Sequence, residues 1–233
     1  MADKETILVI AAHPDDEVLG CGGTVARLSR EGHPVFIAIL GEGQTSRVDQ
    51  PDVQDRKIVK NLKTQAKLAA EALGVQKIFT FDLPDNRFDS VPLLDVVKIV
   101  EKIIADVTPS IVFTHHQSDL NVDHQITSRA VLTGTRPVPG QKIHSLYAFE
   151  VPSATEWSFQ RISPPFQPNY FVDIRDTFDL KVKALSFYDG EMRCFPHPRS
   201  PEALKHIARR WGSVVGLESV EAFEVIRSVR AAE

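Results

Sequence analysis

Four short, almost continuously apolar runs alternate with amphipathic stretches in the first half of this 233-residue chain. They are Ile7–Ala12, Val35–Leu40, Lys77–Phe81 and Ile111–Thr114. Runs of this kind are expected of parallel strands covered on both faces. Between them the pattern predicts helices at about Val18–Arg30, Asp55–Leu73 and Leu93–Asp106, the second stopped by the glycine of Glu71-Ala72-Leu73-Gly74-Val75. A fourth helix is expected from near Asp123 to just before Gly134. Strand–helix alternation of this length implies βαβ units and an α/β class, a Rossmann-like sandwich whose mostly parallel sheet is flanked by helices.

From Thr135 to Asp176 the character changes. Pro137, Pro139, Pro152, Pro164, Pro165 and Pro168 interrupt short apolar runs, which predicts loops and edge strands rather than a second domain. Helices return at about Thr177–Tyr188 and Pro201–Trp211. The expectation is a single domain over residues 1–233, with a core in 1–134 and with cleft-side loops and C-terminal helices in 135–233. The loops Gly41–Gln54, Asp82–Ser90, His115–Asn121 and Met192–Ser200 are the expected cleft walls, all but the last at the same end of the sheet.

Composition narrows the function by exclusion. A net charge of −4 and the isolated pair Arg209-Arg210 argue against a nucleic-acid partner. No apolar run approaches the roughly 20 residues that span a bilayer. The charged N-terminus runs straight into the first motif, unlike a signal peptide. Only Cys21 and Cys194 are present, which suits a reducing compartment, and a cytoplasmic location is expected.

The chemistry sits where two of the strands end. His13-Pro14-Asp15-Asp16-Glu17 follows the first run, and Thr114-His115-His116-Gln117-Ser118-Asp119-Leu120-Asn121-Val122-Asp123-His124 follows the fourth. In open α/β sheets ligands bind beyond the carboxyl ends of the strands. Potential charge gathered beside a core needs compensation, and a bound cation supplies it. The expected ligands are His13, Asp16 and His124, two imidazoles and a carboxylate with one position left for water, the composition of a catalytic zinc site. Asp15 projects differently from Asp16 and is free to act as a base on that water. Asp123 either orients a site histidine or caps the fourth helix.

Other readings compete with the metal. Asp15-Asp16 before a helix also complements a helix dipole. Gly20-Cys21-Gly22-Gly23 is reminiscent of a dinucleotide loop, but it falls inside the expected helix, and the acidic turn before it repels a pyrophosphate. A binding module with a degenerate metal site is the non-enzymatic reading, and the intact His13, Asp15, Asp16 and His124 set argues against it.

With both motifs in view, the chain resembles the PIG-L/LmbE-like family of zinc-dependent N-acetylglucosaminyl deacetylases. The likeness is carried by Ala12-His13-Pro14-Asp15-Asp16-Glu17 and by His115 to His124, and is supported by Leu83 to Asp89, Leu146 to Trp157, His197 to Ser200 and Glu218 to Arg227. It implies a zinc-dependent hydrolase removing acetyl from an N-acetylated sugar or sugar conjugate, with His13, Asp16 and His124 as ligands and Asp15 as general base. It further implies that Asp85 binds sugar hydroxyls and that the protein is a homo-oligomer, trimer or hexamer. The alternative substrate is a non-sugar amide such as a thiol conjugate.

Two positions depart from that family. A histidine that supports the oxyanion is replaced by Asn121, which donates a hydrogen bond but is no acid; His116 is a second candidate for that place. A substrate-binding arginine is replaced by Leu62, with Lys63, Arg56 or Arg87 as nearby cations. Arg87 beside Asp85 binds substrate or forms a surface ion pair. His197 and Arg199 either close over substrate or belong to a structured surface loop. Glu150 and Trp157 are placed for an aromatic wall against a sugar ring, with core or interface as the plainer role of Trp157.

Overall fold

Every residue of β1 (Ile7–Ala11) is buried, as a strand must be when its alternating side chains enter two covered faces. Ile7 and Val9 join Ile37 and Ile39 of β2 (Val35–Gly41) beneath α1 (Asp16–Arg30) and α2 (Val53–Ala72). Leu8 and Ile10 face the other way, with Ala38 and Leu40, against α3 (Leu93–Val107) and α4 (Val122–Gly134). These facts come from a computed structural model that describes residues 4–43, 53–162 and 164–230.

The sheet has seven strands in the order β3-β2-β1-β4-β5-β7-β6. β3 (Lys77–Leu83), β4 (Ile111–His115) and β5 (Ser145–Phe149) extend the parallel set begun by β1 and β2. β6 (Tyr170–Asp173) and β7 (Val220–Ser228) close one edge, β7 antiparallel to both of its neighbours. The chain leaves β1 toward β2 and leaves β4 toward β5, so the winding direction reverses between β1 and β4. A crevice opens at such a switch point, and both polar motifs lie at its mouth.

Three expectations are corrected. Lys77–Phe81 lies in the edge strand β3, which is only half-buried, because it has a neighbour on one side alone. Between Thr135 and Asp176, Ser145–Phe149 is a fully buried interior strand rather than a loop or an edge. The strand β7, between β5 and β6, was not expected at all. Of the later helices, α5 (Phe178–Leu185) is shorter and α6 (Pro201–Val215) longer than the pattern suggested.

The glycines of Gly20-Cys21-Gly22-Gly23 serve packing. A Cβ on Gly20 would stand 2.3 Å from the Phe149 ring, and one on Gly23 would stand 2.9 Å from Ile174. α1 also breaks at Cys21 (φ −145°, ψ 20°). Beyond the break, Glu221 of β7 accepts the Gly23 and Thr24 N–H groups at 2.9 and 2.6 Å. Before it, Lys181 Nζ donates to the Leu19 carbonyl at 2.8 Å and to Glu221 at 2.6 Å. The orphan backbone groups of both half-helices thus find partners. Among the described residues no helix is long and apolar enough to cross a membrane.

Candidate metal centre and active site

His13 leaves the end of β1, Asp16 opens α1, and His124 sits in the first turn of α4. The switch point between β1 and β4 brings these three elements together. His124 Nε2 stands 3.1 Å from Asp16 Oδ2 and 3.3 Å from His13 Nδ1. His13 Nδ1 stands 3.2 Å from the same Asp16 oxygen. Tetrahedral ligands around a zinc ion, each about 2.0–2.2 Å from it, stand roughly 3.3 Å from one another. The donor spacing therefore suits a small divalent cation. All three residues are buried, His13 the least so at 9% exposure.

The outward nitrogens of the two imidazoles face carboxylates. His13 Nε2 lies 2.8 Å from Asp123 Oδ2, and His124 Nδ1 lies 3.1 Å from Asp119 Oδ2. A proton on each outward nitrogen leaves the inward lone pair for a metal, the usual arrangement of histidine ligands. Two other donor clusters exist among the described residues, His115–Asp119–His124 and His13–Asp85–Asp123. They overlap these outward nitrogens and are the less suitable. His115 Nε2 already accepts the Ala12 N–H at 2.8 Å, and Asp123 accepts the Asn86 and Phe88 N–H groups at 2.6 and 2.9 Å. His115 instead stacks on His124, ring centroids 4.0 Å apart.

Electrostatics also favour a cation. Burial alone would raise the Asp16 carboxyl, but the adjacent His124 and His13 hold it well below the usual range. Burial would lower both imidazoles, yet Asp123 and Asp16 lift His13 to about 10, and Asp16 and Asp119 lift His124 to about 9. The carboxylates around the focus thus favour positive charge there, and a divalent ion that bound would compete with protons for the imidazoles. Burial pushes Asp15 well above its ordinary value, with Arg199 opposing and Asp16, Glu191 and Glu17 adding to the rise. Burial likewise lifts Glu17 to about 7 although Tyr188 donates a hydrogen bond to it.

The cluster opens into a cavity of about 530 Å³. Asp15, Asp85, Asn86, Asn121, Trp157, Glu191 and Arg199 are among its walls. Asp15 precedes α1 with a positive φ of 106°, a strained conformation for a residue with a Cβ and one that gathers at functional sites. Asp85 Oδ1 is 3.4 Å from His13 Nε2.

Several expected residues stand elsewhere. The cap of α4 is Asn121, whose Oδ1 accepts the Asp123 N–H at 2.8 Å, so Asp123 is left to face His13. The Asn121 amide nitrogen donates one N–H to Asn86 Oδ1 at 3.1 Å, and Asn121 lines the cavity, with a second N–H on the same nitrogen. His116 faces Glu224 at 3.4 Å and does not line the cavity. Arg87 is exposed and off the cavity wall. Leu62 lines the cavity, while Lys63 pairs with Asp82 at 2.5 Å. The Arg56 side chain and residues 44–52 of the first loop lie outside the described residues. Trp157 does line the cavity, but Glu150 turns to Trp211 Nε1 at 2.6 Å. Asp119 and Glu191 were missed; Asp119 sits five residues before His124 on a strand-end loop, which was a usable signal.

The family model described as PIG-L, GlcNAc-PI de-N-acetylase, matches residues 8–134, which contain both motifs. The chain belongs to the PIG-L family. Among its PIG-L relatives, the probable N-acetyl-alpha-D-glucosaminyl L-malate deacetylase 2 of Bacillus cereus is 28% identical over 188 residues, 79% of this chain and 83% of that protein. The solved N,N'-diacetylchitobiose deacetylase of Pyrococcus horikoshii shares the fold at a TM-score of 0.78 and 22% identity, over 97% of this chain and 85% of the other. GalB, the 4-carboxy-2-hydroxymuconate hydratase of Pseudomonas putida KT2440, shares it at a TM-score of 0.76 and 22% identity, over 98% of each chain. One fold thus serves two kinds of reaction, and the site rather than the fold decides the reaction of a PIG-L chain.

Proposed function

We propose that this chain is a zinc-dependent N-deacetylase acting on an N-acetylated amino sugar or a conjugate of one. The observation that carries the reading is a buried His13–Asp16–His124 donor cluster opening onto a cavity that Asp15 also lines. His13, Asp16 and His124 would hold the divalent ion, which when bound would lower the pKa of water toward ~7 and polarise a carbonyl. Asp15 accepts the proton of the attacking water and returns a proton to the nitrogen as the C–N bond breaks, so that acetate and a free amine leave. Asp123 and Asp119 hold the two imidazoles in the orientation that presents lone pairs to the focus. Asp85, buried on the cavity wall, offers an acceptor to sugar hydroxyls. Asn121 shapes the wall with Asn86 through one N–H and has a second N–H to offer the oxyanion.

The test combines metal analysis with acetate release from N-acetylglucosamine, N,N'-diacetylchitobiose and an N-acetylated thiol conjugate. Turnover of a sugar by metal-loaded protein is expected, and Asp15→Asn should keep the metal while losing about 10²–10⁴-fold in rate. Release from the thiol conjugate alone moves the substrate to the non-sugar class. Metal-loaded protein that releases acetate from none of them overturns the proposal.

A further inference from the structure

Arg199 stands directly before α6, whose start is fixed by its own sequence. Ser200 caps the helix, its Oγ accepting the Ala203 N–H at 3.0 Å, and Pro201 occupies the first turn. The guanidinium is thereby delivered to one place. There Nη1 donates to Asp15 Oδ2 at 2.7 Å and to Glu191 Oε2 at 3.0 Å, and Nε donates to Ser153 Oγ at 2.8 Å. These partners come from the turn into α1, the loop after β5 and the turn after α5, and all of them line the cavity. Among the described lining residues Arg199 is the one with a permanent positive charge, and two buried carboxylates share it.

We infer that Arg199 is a positioning residue for Asp15, with Glu191 and Ser153 fixing the guanidinium in turn. The inference rests on the proposed role of Asp15 as the proton acceptor. Asp15 needs such a partner because its backbone, at φ 106°, sits where a non-glycine residue is strained. A strained backbone persists only where its surroundings over-determine it, and the Arg199 contact is one such tie from outside the turn. Arg199 grips Oδ2 and leaves Oδ1 available to the reacting water. The planar fork suits this task, since it reaches several acceptors in fixed directions, which a lysine ammonium does not.

The experiment compares Arg199→Ala, Arg199→Lys and Glu191→Gln with wild type, and adds Arg199→Ala to Asp15→Asn. In Arg199→Ala, kcat should fall about 10²-fold with KM changed less than about threefold and metal content unchanged, and added guanidinium should restore part of kcat. The same change in the Asp15→Asn background should have almost no further effect. Arg199→Lys, which keeps the charge, should recover part of the loss and covers the case in which the alanine variant fails to fold. Unchanged kcat in Arg199→Ala, additive losses in the double variant, or a loss confined to KM each overturn the inference. If wild type releases no acetate, the deacetylase reading fails separately, and hydrogen exchange still judges the clip. Arg199→Ala must then raise exchange at residues 15–17, 152–155 and 190–193 relative to the core strands, and unchanged exchange there overturns the inference.

Discussion

His13 Nε2 faces Asp123 Oδ2 at 2.8 Å, and the same carboxylate accepts the backbone N–H groups of Asn86 and Phe88. One buried side chain of α4 thus contacts a candidate ligand that follows β1 and accepts two N–H groups from the loop that carries Asp85. Removal of a carboxylate that orients a ligating histidine typically costs about 10–100-fold in metal affinity. Asp123→Ala is therefore expected to weaken zinc binding by that factor, read by competition with a chromophoric chelator. Unchanged affinity would show that Asp123 does not set the His13 ring and that its packing and Asp85, 3.4 Å from the same nitrogen, suffice.

Metal removal tests the crowding of carboxylates directly. A ligand that binds only the folded state stabilises it by about 4 kcal/mol at a thousandfold excess over Kd. Chelator-treated protein should accordingly unfold at a lower temperature, with recovery on adding zinc. Asp16→Ala should show neither the drop nor the recovery, because it removes the oxygen within 3.1 and 3.2 Å of both imidazoles. A zinc response that persists in Asp16→Ala would shift the site to one of the two neighbouring clusters.

The parts of the fold read correctly from sequence are those where one physical cause dominates. β1, β2 and β4 are covered on both faces, so their residues are apolar almost without interruption. His13 and His124 were recognisable because each follows such a strand into a helix. β7 carries Glu221, Glu224 and Arg227, and its pairing partners lie far off in sequence, so nothing local marks it as a strand. The burial of Glu221 is compensated by two N–H groups that α1 supplies at its break and by Lys181, relationships invisible before folding. Arg199 and Glu191 sit in turns without periodicity, and their convergence on Asp15 depends on where three separate loops end.

That break in α1 makes the Lys181–Glu221 pair a stability determinant. Both side chains are buried, at 7% and 5% exposure. Removing one partner of a buried pair typically costs about 3–5 kcal/mol, because the other is left as an uncompensated charge. Lys181→Met is expected to lower unfolding stability by that amount in urea titration, since it also orphans the Leu19 carbonyl. Lys181→Met combined with Glu221→Gln should recover part of the loss, because the amide oxygen still accepts from the second half of α1. Full additivity of the two losses would deny the coupling.

Glu150 makes a contribution to the pH dependence of stability whose sign follows from its surroundings. Its Oε1 accepts the Trp211 indole N–H at 2.6 Å, and burial raises its carboxyl above the ordinary 4.5, with that bond opposing and Glu156 adding to the rise. Lys181 and Arg210, the cations that face it, oppose the rise as well. A raised folded-state pKa means that the folded chain binds a proton which the unfolded chain has already released. Stability therefore falls as pH climbs from the unfolded value through the raised one, and the penalty stays constant above. Glu150→Gln keeps an oxygen for Trp211 and removes the ionisation. Its stability relative to wild type should rise across the same interval and show no such gain below pH ~4, measured by urea unfolding at a series of pH values. A difference independent of pH would mean that Glu150 titrates in the folded protein as it does in the unfolded chain.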